Sequence, residues 1–180
     1  MIRVLDVGAN RFDRVSEMYP ELEHELVRVD IDPEVKPDYV HDITQPLPEE
    51  LHGAFDIVMA SHVLEHLSWR NVIQAANNIA ACVKPEGKLI ILVPDVEWAA
   101  REILNKKGNI DLGVLGTVYG GQTGPWDFHV CGFSMEVMRQ MIERIGFKII
   151  DLHLTGVMIR VNEELYPGRQ IVCEAVRKEG

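Results

Sequence analysis

A chain of 180 residues, of which 47% are hydrophobic, is long enough for one domain with a sizeable core and too apolar to be disordered. Its formal net charge of −10 argues against nucleic-acid or anionic-membrane partners, since no run of Lys or Arg forms a basic patch. Cys82, Cys131 and Cys173 lie far apart without a Cys-x-x-Cys motif, which indicates reduced thiols rather than disulfides or a zinc site. No signal peptide or membrane-spanning apolar run is visible, so we expect a cytoplasmic protein that does not bind membranes.

Apolar β-branched runs alternate with helical patterns along the chain, which is typical of a doubly wound α/β fold with a mostly parallel sheet. The seven predicted strands are residues 2–7, 25–30, 38–41, 55–60, 88–93, 147–154 and 170–177. The predicted helices cover residues 12–22, 68–83 with Ser68 as N-cap, 96–106, and 134–145 with Ser134 as N-cap. A short Tyr166-Pro167-Gly168 connection leaves no room for a crossover helix, so we predict an antiparallel last strand. We expect one domain over residues 1–180.

The stretch between residues 108 and 132 differs from the rest of the chain. It is rich in glycine and shows no clear helical or strand period, so we predict a long loop there. Its aromatic residues and its Asp127-Phe128-His129 sequence favour a functional loop over a disordered one.

The beginning of the chain predicts a nucleotide-binding loop. Residues 4–10 form an apolar run that ends in Asp6, Gly8 and a small polar loop, as when a buried parallel strand emerges at the carboxyl edge of a sheet. Asp30, at the end of the next predicted strand, lies where an acidic side chain would hold a ribose.

Together these segments resemble the class I S-adenosylmethionine-dependent methyltransferases, over nearly the whole chain. Each motif is weak alone, but their common order and spacing form a strong joint signal. The segments that carry the resemblance are Val4–Gly8, Val29–Ile31, His41–Ile43, Phe55–Leu67 and Val83–Leu89. A subgroup of small, mostly uncharacterised methyltransferases is also similar at Gly120–Gln122, Asp127–His129 and Gly132–Phe133. The resemblance implies a Rossmann-like sheet with S-adenosylmethionine as the cofactor.

The resemblance also assigns roles to residues at the strand ends. Those expected to bind the cofactor are Asp6, Gly8, Ala9, Asn10, Asp30, Ile31, Asp42, Ile43, Ser61 and His62. Asp30 would accept from both ribose hydroxyls, Asp42 from the adenine amine, and Ser61 and His62 would border the reacting methyl group. The simpler alternatives are that Asp6 caps its own loop, Asp42 forms a turn and His62 packs locally.

The first loop departs from the family pattern, which has two or three glycines at alternate positions. Asn10 and Phe12 stand at the second and third of these positions. Asn tolerates left-handed backbone geometry, whereas Phe12 is bulkier. The departure bears on the affinity for the cofactor more than on its identity.

His129 is the predicted catalytic base, because an imidazole with an ordinary pKa of ~6.5 accepts protons near neutral pH. Asp127 would orient it if the segment is extended. The alternative is a histidine that bonds to backbone and locks the loop. Cys131, two residues further on, could suggest a thiol nucleophile, but methyl transfer does not need one and a buried structural thiol is the expected role.

His62 and His66 have the spacing of two metal ligands on one helical face. No third ligand is evident nearby in the sequence, so no metal site is predicted.

The sequence therefore predicts a methyltransferase that acts on a small polar acceptor, with a hydroxyl as one option. A binding module without catalysis is the main alternative, because the first loop is degenerate and no base is certain. A nicotinamide-dependent oxidoreductase is less favoured, since residues 8–13 lack the Gly-x-Gly-x-x-Gly pattern. The oligomeric state is not predicted.

Overall fold

One seven-stranded sheet organises the structure, a computed structural model that describes residues 1–8, 14–106, 110–161 and 163–178. The strand order is β3-β2-β1-β4-β5-β7-β6. The strands are β1 Ile2–Val7, β2 His24–Asp30, β3 Tyr39–Val40, β4 Phe55–Ser61, β5 Val83–Pro94, β6 Phe147–Val161 and β7 Glu164–Arg177. The α-helices are α1 Arg14–Met18, α2 Val72–Ala81, α3 Val96–Asn105, α4 Leu112–Tyr119 and α5 Met135–Arg144.

The strand directions confirm the predicted fold class. β1 pairs in parallel with β2 and β4, while β7 pairs antiparallel with both β5 and β6. Within the described part of the chain, no helix has the length and apolarity needed to cross a membrane.

The central strands are covered on both faces, which explains their unbroken apolar runs. On β4, Val58 packs in the core shared with α2 and α5, whereas its neighbour Met59 points to the opposite face and packs near Val15 of α1. On β5, Leu89 and Ile90 alternate between the same two cores. Successive residues of a strand point to opposite faces, so each layer takes every second side chain.

Two predictions on the helices are corrected. α2 begins at Val72, four residues later than expected from Ser68, whose hydroxyl instead accepts from the Arg70 amide at 3.4 Å. The predicted loop also contains α4, which Asp111 caps by accepting from the Val114 amide at 2.9 Å. A Cβ on Gly113 would lie 2.6 Å from the Pro167 oxygen, so glycine at this position serves close packing on β7. Glycines used for packing hide the apolar period by which a helix is predicted.

The last two strands are longer than predicted. Tyr166-Pro167-Gly168 lies inside β7, where Pro167 is opposite Met158, and the hairpin turns further out. The pairing of β7 with β5 ends where Gln170 is opposite Pro94. Beyond that point β7 has β6 as its one neighbour, so a proline without an amide hydrogen is tolerated.

Hydrogen bonds join Tyr19, the residue after α1, to β7 and β5 on the same face of the sheet. The Tyr19 hydroxyl donates to Glu174 Oε1 at 2.6 Å, and Lys88 Nζ donates to Glu174 Oε2 at 2.7 Å. Burial alone would raise the pKa of Glu174, but the bonds from Lys88 and Tyr19 outweigh it and hold that pKa below its ordinary value. The carboxylate therefore stabilises the fold while it is ionised.

We expect Glu174→Gln to lower the free energy of unfolding by about 1 kcal/mol at pH 7, because it removes a charge-assisted bond to a partly exposed lysine. A depressed folded-state pKa contributes stability above the unfolded value of ~4.3 and loses it as the pH falls. The difference between wild type and variant in urea unfolding should therefore shrink as the pH falls below about 4. Glu97→Gln is the control, since Glu97 pairs with Arg101 on an exposed helix face. An equal loss at pH 7 and at low pH would contradict the assignment.

Candidate functional site

A cleft of about 690 Å³ lies where the parallel strands end. Its walls contain the residues that directly follow or close four strands, as expected for ligand binding in an open α/β sheet. These are Gly8 after β1, Asp30 and Ile31 at the end of β2, His41 and Asp42 after β3, and His62 after β4. The opposite wall comes from residues 123–128 and Val130.

Gly8 makes the floor of the cleft possible. Its φ of +71° is left-handed, and a Cβ added there would lie 2.6 Å from Val63 Cβ. Its amide donates to the Val29 carbonyl at 2.8 Å, which holds the turn against β2. Only glycine combines this backbone conformation with such close contact to Val63.

Two of the predicted acidic residues meet in the cleft. Asp30 Oδ1 accepts from the Asp32 amide at 3.0 Å, and Asp42 Oδ1 accepts from the amide and hydroxyl of Thr44 at 2.9 and 2.8 Å. Asp42 thus forms a turn and also lines the cleft. Asp32 accepts from the Glu34 amide at 2.9 Å in the turn that contains Pro33, and it lines the cleft as well. These bonds orient the carboxylates on loops that would otherwise move.

The other predicted cofactor residues divide into three groups. Ile31 and Ile43 line the cleft with the acidic residues. Asp6 and Ser61 are buried at the ends of β1 and β4, and neither is among the described residues that line it. Ala9 and Asn10, like Phe12, lie outside the described residues.

Contrary to prediction, the structure does not pair Asp127 with His129 but gives each residue a different partner. Asp127 lines the cleft, and its Oδ2 accepts from the Thr123 amide at 3.2 Å and the Thr123 hydroxyl at 2.7 Å. His129 Nδ1 lies 3.0 Å from the Thr117 carbonyl. His129 is not among the described residues that line the cleft. The Asp127 carboxylate is therefore engaged by Thr123 and does not orient His129.

A buried carboxylate instead organises the histidines. Glu65 is 1% exposed, and His62 Nδ1 lies 3.2 Å from its Oε1, within ion-pair range but without hydrogen-bond geometry. His129 Nε2 lies 4.0 Å from the same oxygen. The rings of His66 and His129 meet edge to face with centroids 4.9 Å apart. We call Glu65, His66 and His129 the Glu65 cluster.

Backbone bonds hold the Glu65 cluster together across a long sequence separation. The Glu65 carbonyl accepts from the amides of Val130 and Cys131 at 2.9 and 3.2 Å. His66 Nδ1 lies 3.1 Å from the Phe128 carbonyl. Residues 64–66 form one turn of 3₁₀ helix and His62 has a left-handed φ of +53°. The predicted common helical face of His62 and His66 is therefore corrected, because no α-helix joins them.

The charges in this region follow from burial and proximity. Burial alone would lower the pKa of His62, but Glu65 and Gln170 outweigh it and raise that pKa. Burial alone would raise the pKa of Glu65, but His62 and His66 hold it below its ordinary value. Burial lowers the pKa of His129, so its ring is neutral at neutral pH. Glu65 thus favours the charged form of His62, whereas His129 is a neutral neighbour.

Cys131 has the structural role that was expected. Its thiol donates to the Leu64 carbonyl at 3.4 Å. Burial and the Glu65 carboxylate raise the pKa of the thiol to about 11, so it is protonated at neutral pH.

Sequence reasoning missed Glu65 and treated His66 only as a partner of His62. A buried glutamate looks in the sequence like any polar residue of a short helix, and its contact with His129 spans more than sixty residues. The one available signal was the acidic residue between two histidines in residues 62–66, within an otherwise apolar stretch.

The sheet and the acid-lined cleft at its carboxyl edge define the class of S-adenosylmethionine-dependent methyltransferases. Residues 1–152 match the family model described as a methyltransferase domain, and the chain belongs to that family. The family implies S-adenosylmethionine as the cofactor. No curated protein matches the sequence.

Solved methyltransferases share the fold at low identity. An S-adenosylmethionine-dependent methyltransferase from Methanosarcina mazei is 11% identical, with a TM-score of 0.69 over 98% of this chain and 93% of that one. The 1,6-didemethyltoxoflavin-N1-methyltransferase of Burkholderia thailandensis, solved with S-adenosylhomocysteine, is 14% identical with a TM-score of 0.60 over 99% and 72%. The CMeT domain of the citrinin polyketide synthase is 17% identical with a TM-score of 0.60. The alignment covers 99% of this chain and 47% of the CMeT domain structure, so this chain spans about half the length of that protein. At these identities the likeness concerns the fold alone.

We expect Gly8→Ala to destabilise the protein more than Gly53→Ala. Both positions have a left-handed φ, +71° and +60°, which costs an alanine about 1–2 kcal/mol. A Cβ at Gly53 meets nothing within 4 Å, whereas at Gly8 it overlaps Val63 and adds about 1–3 kcal/mol of overpacking. Urea unfolding of the two variants measures the difference. Equal losses would mean that Val63 moves aside without cost and that Gly8 is needed for its backbone alone.

Proposed function

We propose that the protein transfers a methyl group from S-adenosylmethionine to a small polar acceptor bearing a hydroxyl. The observation that carries this proposal is the cleft, in which a glycine floor and two carboxylates come together at the ends of adjacent parallel strands. The cofactor supplies the activated methyl group. The chain has to bind both partners, align the acceptor and exclude water, and alignment alone is worth about 7–11 kcal/mol in the best cases.

The adenosine end is assigned to the first wall of the cleft. Asp30, which lines the cleft at the end of β2, would accept from the ribose hydroxyls, and Ile31 offers an apolar face to the adenine. Asp42 would accept from the adenine amine through Oδ2, because its Oδ1 is engaged by Thr44. Gly8 would leave room for the methionine part, with Ala9 and Asn10 completing that loop. These assignments are supported by the position of each residue at a strand end.

The acceptor is assigned to the opposite wall, formed by residues 123–128 and Val130, and to the polar residues beside it. Trp126 and Phe128 provide partly exposed aromatic surface there, and Ser68 and Asn71 provide polar groups. This mixture suits a small molecule with both apolar and hydroxyl parts. The Burkholderia methyltransferase noted above was solved with bound 1,6-didemethyltoxoflavin, so a fold of this kind can hold a small-molecule acceptor.

His129 and Asp127 are not paired in the structure, so a separate role is proposed for each. A neutral His129 can accept a proton, but its Nε2 faces Glu65 and its Nδ1 faces the Thr117 carbonyl. We propose that His129 acts on the acceptor through the Glu65 cluster, and that Asp127 shapes the acceptor wall by its bonds to Thr123. A base of this kind contributes about 10²–10⁴ in rate when a hydroxyl must be deprotonated.

The alternatives differ in what they bind and whether they turn over. A nicotinamide-dependent oxidoreductase would be stabilised by NAD, and a binding module by S-adenosylmethionine without turnover. Labelled methyl transfer from S-adenosylmethionine to a panel of small hydroxyl compounds distinguishes an enzyme from a binding module.

We propose a cytoplasmic location on the ground that all three cysteines are free thiols.

We expect S-adenosylhomocysteine to raise the melting temperature of the wild type and Asp30→Ala to abolish most of that shift while retaining the fold. Each hydrogen bond to the charged carboxylate is worth about 1.5–3 kcal/mol, so the loss of two ribose contacts should weaken binding at least about a hundredfold. Thermal melting against ligand concentration measures it, with circular dichroism as the check on folding.

Asp151→Ala is the matched control, because Asp151 is an exposed carboxylate of β6 outside the cleft. Its shift should equal that of the wild type. An unchanged shift in Asp30→Ala would show that the ribose is held elsewhere, and a shift with NAD alone would rule out the proposed cofactor.

A further inference from the structure

The Glu65 cluster has the composition of a metal site. One nitrogen each from His66 and His129 and one carboxylate oxygen of Glu65 lie within 4.8 Å of one another. A bound divalent ion with ligand distances of about 2.0–2.2 Å would require them to close to roughly 3–3.5 Å. The closure is about one ångström, which side-chain rotation can supply.

Both rings are held in the tautomer that a metal ligand needs. A carbonyl oxygen can only accept, so the Nδ1 atoms beside Phe128 and Thr117 carry the hydrogen in His66 and His129. In the neutral rings Nε2 then keeps its lone pair. A ligating histidine whose other ring nitrogen donates to a backbone carbonyl is the usual outer-shell arrangement of metal sites.

The burial of the Glu65 carboxylate independently indicates a bound cation. The carboxylate is almost completely buried, and neither of its oxygens has a hydrogen-bond partner among the described residues. His62 offers one ion-pair contact, but its other ring nitrogen is engaged by Gln170 Oε1 at 2.7 Å. A buried carboxylate without hydrogen bonds costs free energy of folding unless a bound cation or further donors compensate its charge.

We propose that Glu65, His66 and His129 bind one divalent transition-metal ion of the Zn²⁺ class. Two imidazoles and one carboxylate are typical of catalytic sites that keep open positions, and nitrogen ligands favour Zn²⁺ over Mg²⁺. The ion would border the cleft, because His66 lines it.

The catalytic role of such an ion rests on the proposed methyl transfer. A metal at this wall could take the acceptor oxygen as a further ligand and lower the pKa of its hydroxyl. His129 would then not accept the proton itself, because its Nε2 lone pair would be given to the ion and its Nδ1 carries hydrogen, and the hydroxyl proton would pass to water. Metal binding itself does not depend on methyl transfer and is tested without it.

The test is calorimetric titration of chelator-stripped protein with Zn²⁺, and absorption spectroscopy with Co²⁺ as the coloured substitute. We expect one ion per chain, visible absorption bands on Co²⁺ addition, and much weaker binding of Mg²⁺. His66→Ala and His129→Ala should each lower the Zn²⁺ affinity by more than about tenfold, since even outer-shell changes cost about 10- to 100-fold.

His153→Ala is the matched control, because its ring is exposed on β6 and pairs with Asp151 at 2.8 Å. Its affinity should equal that of the wild type. If His129→Ala fails to fold by circular dichroism, His66→Ala carries the test, since its ring is only partly buried. Absence of saturable one-to-one binding, or unchanged affinity in His66→Ala, overturns the proposal. The S-adenosylhomocysteine melting shift of the stripped protein is measured in parallel, so a failed metal site is distinguished from a failed cofactor assignment.

Discussion

The burial of the Glu65 carboxylate is the constraint on which the functional half of the structure depends. A charged group without water must be compensated by neighbours. The chain supplies them from two distant segments, with His62 and His66 on one side and His129 on the other. The Glu65 carbonyl also accepts two amides of the distant segment. Backbone and side chain of one residue thus hold the wall that contains Val130 against the segment that follows β4.

The wall of the cleft at the strand ends depends on simpler geometry. Parallel strands bring their carboxyl ends to one edge, so residues that are far apart in sequence, such as Gly8, Asp30 and Asp42, line the same cleft. This wall therefore follows from strand order, whereas the opposite wall follows from tertiary packing.

The quality of the sequence predictions follows the same division. β1, β2 and β4, and the helix capped by Ser134, lie within one or two residues of their predicted bounds, because apolar runs and caps are local signals. α4 was missed since its glycines serve close packing, Gly113 on β7 and Gly116 on β6. The length of the last hairpin was missed since Pro167 is tolerated where β7 has one neighbouring strand. The Asp127–His129 pairing failed because Thr123 offers Asp127 a nearer partner.

By itself the sequence determined the fold class, the family resemblance and the acidic residues at the strand ends, because each of these is written in a few consecutive residues and in their order. Only the tertiary structure decided that Glu65 is buried, that His66 and His129 face one another beside it, and that Gly8 must remain open for Val63. Burial and contact between distant residues depend on how whole layers pack, and no local pattern of side chains encodes the distance between them.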